Sequence, residues 1–211
     1  MFDLFVDTSR KGISMALLQS DAADPCYLET VDETARGETA SAMLDALLEK
    51  AHASLDQVTR VMVTVGPGSF SGLRTGVAFC EGLCFSGKRK LYGVSTLQAL
   101  ESFADTPESA AVIIRARKGY WYLRLDENES FIETAQVVDA LKTNPVKTVV
   151  VDEAALADEV LSDYIAHSGA KVVNEKGQPL SLWQKLFDKV EPSLTQEANY
   201  IQPSYFEKLK S

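Results

Sequence analysis

The stretch VMVTVGPGSFSGLRTGVAFCEGLCFSG runs from Val61 to Gly87. Five strand-favouring residues, Val61 to Val65, make an apolar run too short for a helix, and Gly66-Pro67-Gly68 ends it. That pattern predicts a buried strand. Beyond a loop rich in Gly and Ser, Leu73 to Ser86 carries only two charges, Arg74 and Glu81. So sparsely charged a helix is expected to be covered on more than one face. It is also too short to span a bilayer, which takes about 20 residues, so the cover must be protein. One face is expected on the chain's own sheet and the other against a partner.

The loop invites a phosphate-binding reading, because free amides at a helix N-terminus favour anions. A P-loop needs four residues between its two glycines and then Lys-Ser/Thr, whereas Gly68 and Gly72 enclose three and Leu73-Arg74 follows. The plainer function of these glycines is a tight strand-to-helix turn with close backbone packing.

The 211 residues, 45% of them hydrophobic, suffice for one large domain or two small halves with a core each. With 21 basic and 30 acidic residues the net charge is -9, which disfavours unaided binding to RNA or an anionic membrane. Met1-Phe2-Asp3 lacks a basic leader, and no apolar run reaches the ~18 residues of a membrane helix. A cytoplasmic location and no membrane contact are therefore expected. Three cysteines, Cys26, Cys80 and Cys84, suit a reducing compartment. Cys80 and Cys84 stand one helical turn apart with no His nearby, so they read as small buried hydrophobes and not metal ligands.

Taken in order, Phe2 to Val6 and Ile13 to Leu18 read as strands joined by the turn from Asp7 to Gly12, and Cys26 to Val31 as a third. From Glu38 to Ala53 the positions Ala40, Met43, Leu44, Leu47, Leu48 and Ala51 recur at helical spacing, with Ala42 and Ala46 on the other side. The Val61 strand, the Leu73 helix, a strand from Leu91 to Val94 and a short helix from Ser95 or Thr96 follow. Val112 to Ile114, Trp121 to Leu125 and a weaker strand near Phe131 then start the pattern again. A short helix covers Val137 to Leu141 and a strand Val146 to Val151. Asp152 is placed to cap a helix carrying Leu156, Val160, Leu161 and Tyr164. A strand at Lys171 to Val173 and a helix carrying Leu182, Trp183, Leu186, Phe187 and Val190 complete it, and the apolar tail Tyr200 to Phe206 is expected to dock. Two successive βββαβα halves, divided at 1–105 and 106–211, predict an α/β protein of the duplicated ribonuclease-H-like architecture found in the actin-like ATPase superfamily.

Five stretches also resemble one family: VDTS at Val6 to Ser9, GPGSFSGLRTG at Gly66 to Gly76, GVSTLQAL at Gly93 to Leu100, RARKGYWY at Arg115 to Tyr122 and PSYFE at Pro203 to Glu207. Together they are similar to the TsaB (YeaZ) family, the bacterial partner proteins in threonylcarbamoyladenosine synthesis on tRNA. The resemblance implies a non-catalytic paralogue of TsaD, the enzyme that modifies adenosine 37 of tRNAs reading codons that begin with A. It implies pairing with TsaD, joined by the ATPase TsaE, with tRNA met only through that complex. Whether the free chain forms a homodimer stays open. No cofactor is expected.

Candidate residues follow from both readings. TsaD-like enzymes hold a metal with two histidines at i and i+4 on the first long helix, but this chain has only His52 and His167, so no metal site is expected. Gly72, Gly76 and Cys80 form a row of small residues which, with Leu73, Val77 and the Ala42 and Ala46 pair, is expected to face the partner's helices. Asp7, Thr8, Ser9, Gly66 and Gly68 are the candidates for a vestigial nucleotide contact, although an Asp-Thr-Ser turn also binds its own amides. Arg115-Ala116-Arg117 departs from the family's usual Asp-Ala-Arg. Together with Lys118 it makes a basic turn that could meet RNA or TsaE; alternatively Tyr120 and Tyr122 simply alternate with a core-facing Trp121. The competing readings are a small actin-like-fold ATPase or phosphotransferase using the Gly66 loop, and, more remotely, a metallopeptidase-like enzyme. The second half is expected to be truncated relative to active ATPases.

With the histidine pair and a complete phosphate loop both missing, the purified chain is expected to bind no stoichiometric zinc or iron and to hydrolyse no ATP. Elemental analysis finding one ion per chain, or ATP turnover abolished by Asp7→Ala, would overturn that expectation.

Overall fold

Alternation along the first strand sets the architecture. In the computed structural model, which describes residues 1–19, 27–34 and 37–201, β1 (Phe2–Asp7) is buried at every position. One set of its side chains, Phe2, Leu4 and Val6, enters a core with helices, while Phe5 stacks against aromatics on the other side. A strand covered on both faces reads as a continuous apolar run.

β1 pairs antiparallel with β2 (Ile13–Gln19), which pairs antiparallel with β3 (Tyr27–Asp32). Helix α1 (Ala40–Lys50), entered through a 3-10 turn at Gly37–Thr39, leads to β4 (Val58–Gly66), parallel to β1. Helix α2 (Phe70–Cys84) leads to β5 (Lys90–Ser95), parallel to β4. The order across the sheet is β3-β2-β1-β4-β5.

After α3 (Thr96–Glu101) the succession repeats with β6 (Ala110–Arg117), β7 (Tyr120–Leu125), β8 (Asn128–Glu133), α4 (Thr134–Thr143) and β9 (Thr148–Val151). Helices α5 (Glu153–Leu156) and α6 (Glu159–Ser168) then precede β10 (Lys171–Asn174). The second sheet runs β10-β9-β6-β7-β8; taken from its other edge it matches the first strand for strand, with the same parallel and antiparallel pairings. The chain is thus an α/β protein with the duplicated ribonuclease-H-like fold.

In the first unit Leu44, Leu47 and Leu48 of α1 and Cys80 and Cys84 of α2 close the core over β1, β2, β4 and β5. In the second, Val137, Val138 and Leu141 of α4 and Leu161 and Ile165 of α6 do the same over β6, β7 and β9. No helix among the described residues is long and apolar enough to cross a membrane.

Three expectations change. The single helix expected after Asp152 is two: Asp152 accepts from the Ala155 amide (2.8 Å) to start α5, and Asp158 accepts from the Leu161 amide (3.1 Å) to start α6. The expected helix around Trp183 is a 3-10 helix, Leu180–Asp188, and it closes the first unit. Trp183 and Phe187 pack on Phe5, with ring centroids 6.4 and 5.7 Å away, and Phe187 meets Tyr92 edge-on at 4.8 Å. The compact units are accordingly Met1–Thr96 with Pro179–Asn199, and one built on Leu97–Gln178, where the sequence suggested a division near Asp105. Cys26 and the stretch Pro203 to Glu207 lie outside the described residues.

Replacing Trp183, which is 1% exposed, by Ala should leave a cavity on the open face of the first sheet. A loss of roughly 3–5 kcal/mol is expected from urea denaturation.

Candidate functional site: the Asp7 turn and the helix that seals it

The turn after β1 is held from within. Asp7 Oδ1 accepts from the Ser9 amide (2.9 Å), the Ser9 hydroxyl (2.6 Å) and the Thr64 hydroxyl on β4 (2.8 Å). The Arg10 guanidinium stands 3.9 Å from Oδ2. An Asx turn of this kind needs no ligand.

The N-terminus of α2 closes over that turn. The Ser69 amide donates to the Ser9 carbonyl at 2.6 Å, and the Ser69 hydroxyl caps the helix by accepting from the Gly72 amide at 3.3 Å. A Cβ placed on Gly68 would fall under 3.0 Å from the Ser9 carbonyl, one on Gly72 would meet the Thr8 carbonyl, and one on Gly76 would meet the Thr8 side chain. The three glycines are therefore one device: they let two backbones touch. Gly66, at φ +112, ends β4 beside the carbonyl of Asn199. The Asn199 amide donates to Val65 O at 2.6 Å and the Gln196 amide to Glu81 Oε1 at 2.9 Å. Asp7, Thr8, Ser9, Gly66 and Gly68 are thus brought together; Asp7 Oδ1 and Ser9 are engaged by the chain itself, while the buried Thr8 hydroxyl, pressed against Gly76, has no hydrogen-bond partner among the described residues.

This geometry corrects the expected partner seam. Leu73, Gly76, Val77 and Cys80 are buried on the inner side of α2, and Gly72 rests on Thr8. A row of small residues permits close approach by any neighbour, and here the neighbour is the chain's own turn. The outward row is Phe70 (52% exposed), Arg74, Ala78, Gly82 and Phe85 (92% exposed). The Arg74 guanidinium lies 4.0 Å over the Phe70 ring. Arg74 itself was the available signal: at 100° per residue Gly76 lies about 200° around the helix from it, on the opposite side. Ala42 and Ala46 do face outward on α1 and, with Met43 and Lys50, line a shallow groove beside Thr30 of β3.

Among the described residues no group of three His, Cys, Asp or Glu could hold a metal ion. His52 is exposed just past the end of α1, and His167 Nδ1 lies 2.8 Å from the Asp163 carbonyl one turn back. A two-histidine site on the first helix does not fit this chain. Burial pushes the Cys80 thiol well up and the Cys84 thiol up, so both stay protonated and inert at neutral pH. Arg115, Arg117 and Lys118 are exposed around the β6–β7 turn of the second unit, remote in sequence from the Asp7 turn.

Fold and site together define a duplicated ribonuclease-H-like protein whose Asp7 turn is sealed by its own helix α2. The chain belongs to the family described as TsaD: tRNA N6-adenosine threonylcarbamoyltransferase, which it matches over residues 34–196, and the curated relatives it resembles are TsaB proteins. It is 30% identical over 132 residues to the Escherichia coli K12 tRNA threonylcarbamoyladenosine biosynthesis protein TsaB, covering 59% of this chain and 56% of that one. To the Haemophilus influenzae TsaB it is 27% identical over 113 residues, 54% and 47% of the two chains. It thus spans about half the length of these curated relatives. The fold is shared with a Pseudomonas aeruginosa protein described as similar to peptidase YEAZ, with a TM-score of 0.70 at 20% identity, covering 95% and 99% of the two chains.

The contrast between two glycines tests the orientation of α2. Gly76→Ala should destabilise by about 1–3 kcal/mol through crowding at Thr8. Gly82→Ala, with nothing within 4 Å of its added methyl, should be neutral or stabilising by up to about 1 kcal/mol. Urea titration of both variants reads the difference.

Proposed function

We propose that this chain is a non-catalytic scaffold of tRNA threonylcarbamoyladenosine synthesis, which binds TsaD, together with TsaE, and is needed for threonylcarbamoylation of adenosine 37 in tRNAs reading ANN codons. The observation that carries the reading is the two-sidedness of α2. Its inner face fills the turn where a nucleotide-using relative would bind phosphate, and its outer face, from Phe70 to Phe85, carries two exposed phenylalanines beside small residues. Exposed aromatic anchors flanked by Ala78 and Gly82 suit close helix-to-helix docking. The neighbouring α1 adds Ala42 and Ala46, and Thr75 of α2 touches the 3-10 turn that opens α1. Two short helices can supply the roughly 800 Å² per partner of a standard interface. The missing histidine pair and the names of the relatives point the same way, to a subunit of the pathway and not to the transferase.

Co-elution with TsaD on size exclusion tests this. Gly82→Arg and Ala46→Arg, both at open positions, are expected to keep a wild-type circular dichroism spectrum and to lose the heterodimer, because each places an unpaired charge in the seam. A heterodimer retained by both folded variants would exclude this face. Isothermal titration of the free chain with ATP should give no binding heat; stoichiometric heat would favour the phosphotransferase reading instead.

A further inference from the structure

The β6–β7 turn is the second unit's counterpart of the Asp7 turn, since β6 and β7 occupy the places of β1 and β2 in the matching strand order. The two turns differ in what covers them. Lys118-Gly119 forms a tight loop with Gly119 at φ +76 and open space beside it. Arg115, Arg117 and Lys118 are all exposed, and among the described residues no carboxylate lies within 4.0 Å of their cationic groups. Arg10, Arg60 and Arg89, by contrast, each pair with a carboxylate, and Arg124 pairs with two.

Instead of carboxylates, aromatic rings hold these guanidinium groups. Arg117 lies 4.1 Å over the Tyr120 ring and 5.5 Å from that of Phe131, and the two rings stack 5.0 Å apart at 8°. Arg115 stands 5.4 Å from the Trp121 ring. The platform is fixed from below. The Trp121 indole donates to the Thr134 hydroxyl at 2.9 Å, and the Tyr120 hydroxyl donates to Glu133 at 2.7 Å, which turns that carboxylate to the ring edge. Asp152 accepts from the Arg115 amide at 2.7 Å and so engages the backbone.

We propose that this turn is an RNA-contact platform for unpaired nucleotides, in which Arg117, laid flat on Tyr120 and Phe131, stacks on a base while Arg115 and Lys118 meet the flanking phosphates; it rests on the role in tRNA modification proposed above. A guanidinium plane offers a base its outer face and a phosphate its N–H donors. Duplex RNA buries its base faces and meets only the charge. An acidic protein segment would use the charge without needing the stacked rings. The net charge of -9 makes the platform a local exception on a repulsive surface, so binding is weak at physiological salt and is measured near 50 mM.

The experiment is fluorescence anisotropy of the full chain, alone and with TsaD, against an RNA hairpin with an unpaired loop, a blunt duplex of equal phosphate number, and polyglutamate as competitor. The wild type should prefer the loop. Arg117→Ala should weaken loop binding about tenfold or more. Arg117→Lys should lose the loop preference yet keep the salt slope. Lys118→Ala should keep the preference and lower the slope of log K against log salt by about 0.7. Equal binding of loop and duplex, unchanged affinity in Arg117→Ala, no RNA binding in either form of the protein, or displacement of RNA by polyglutamate more readily than by duplex would each overturn the platform. Circular dichroism confirms that the variants fold. Co-elution of Arg117→Ala with TsaD separates the two proposals: a wild type that fails to co-elute counts against the scaffold alone, and an RNA result counts for or against the platform alone.

Discussion

The contact between the α2 glycines and the Asp7–Ser9 turn is the constraint on which the first unit depends. Gly68, Gly72 and Gly76 can press on the Ser9 and Thr8 backbone and the Thr8 side chain only because they carry no Cβ. With α2 pinned there, Leu73, Cys80 and Cys84 fall over the sheet and Phe70, Ala78 and Phe85 fall outside it. The same contact decides chemistry as well as packing. Oδ1 of Asp7 is committed to the Ser9 amide, the Ser9 hydroxyl and the Thr64 hydroxyl, and the α2 N-terminus, which would favour an anion, faces a peptide carbonyl.

The duplication makes that arrangement informative. Two sheets with the same strand order carry different turns at equivalent places: one whose carboxylate is bonded within the turn and which α2 seals, and a basic one left open on a stacked aromatic pair. Topology alone therefore does not assign a role to either turn. Side chains do. The acidic balance of the whole chain sharpens the difference, since a cluster of cations without carboxylate partners contrasts with the paired arginines elsewhere.

Much of this was legible in the residues. Strand runs bounded by Gly, Pro and charged turns place each strand found among the described residues, although β4 and β6 extend three residues beyond the expected runs at one end, and the repeat of element order carries the duplication. What escaped were decisions made by distant neighbours. The Gly72, Gly76, Cys80 row is equally consistent with an inner and an outer seam until Thr8, more than sixty positions earlier, is placed beside it. Trp183 and Phe187 carry a helical spacing that says nothing about which sheet they cover, and they cover the first by meeting Phe5 and Tyr92. The break between α5 and α6 rests on a second cap, Asp158, inside a run that reads as continuous. The outer side of α2 could have been inferred from Arg74, because a helix buried on one face places its rare charge on the other.

The return of Pro179–Asn199 to the first unit has a consequence for synthesis on the ribosome. Leu97–Gln178 lies between the two parts of the first unit, so the leading segment emerges without the Trp183 turn that packs on Phe5 and Tyr92, and that turn is translated only after all of β6 to β10. A nascent chain of this protein therefore carries that apolar sheet face without its Trp183 cover through the making of β6 to β10. This is the interval in which chaperone binding or aggregation competes with completion of the fold.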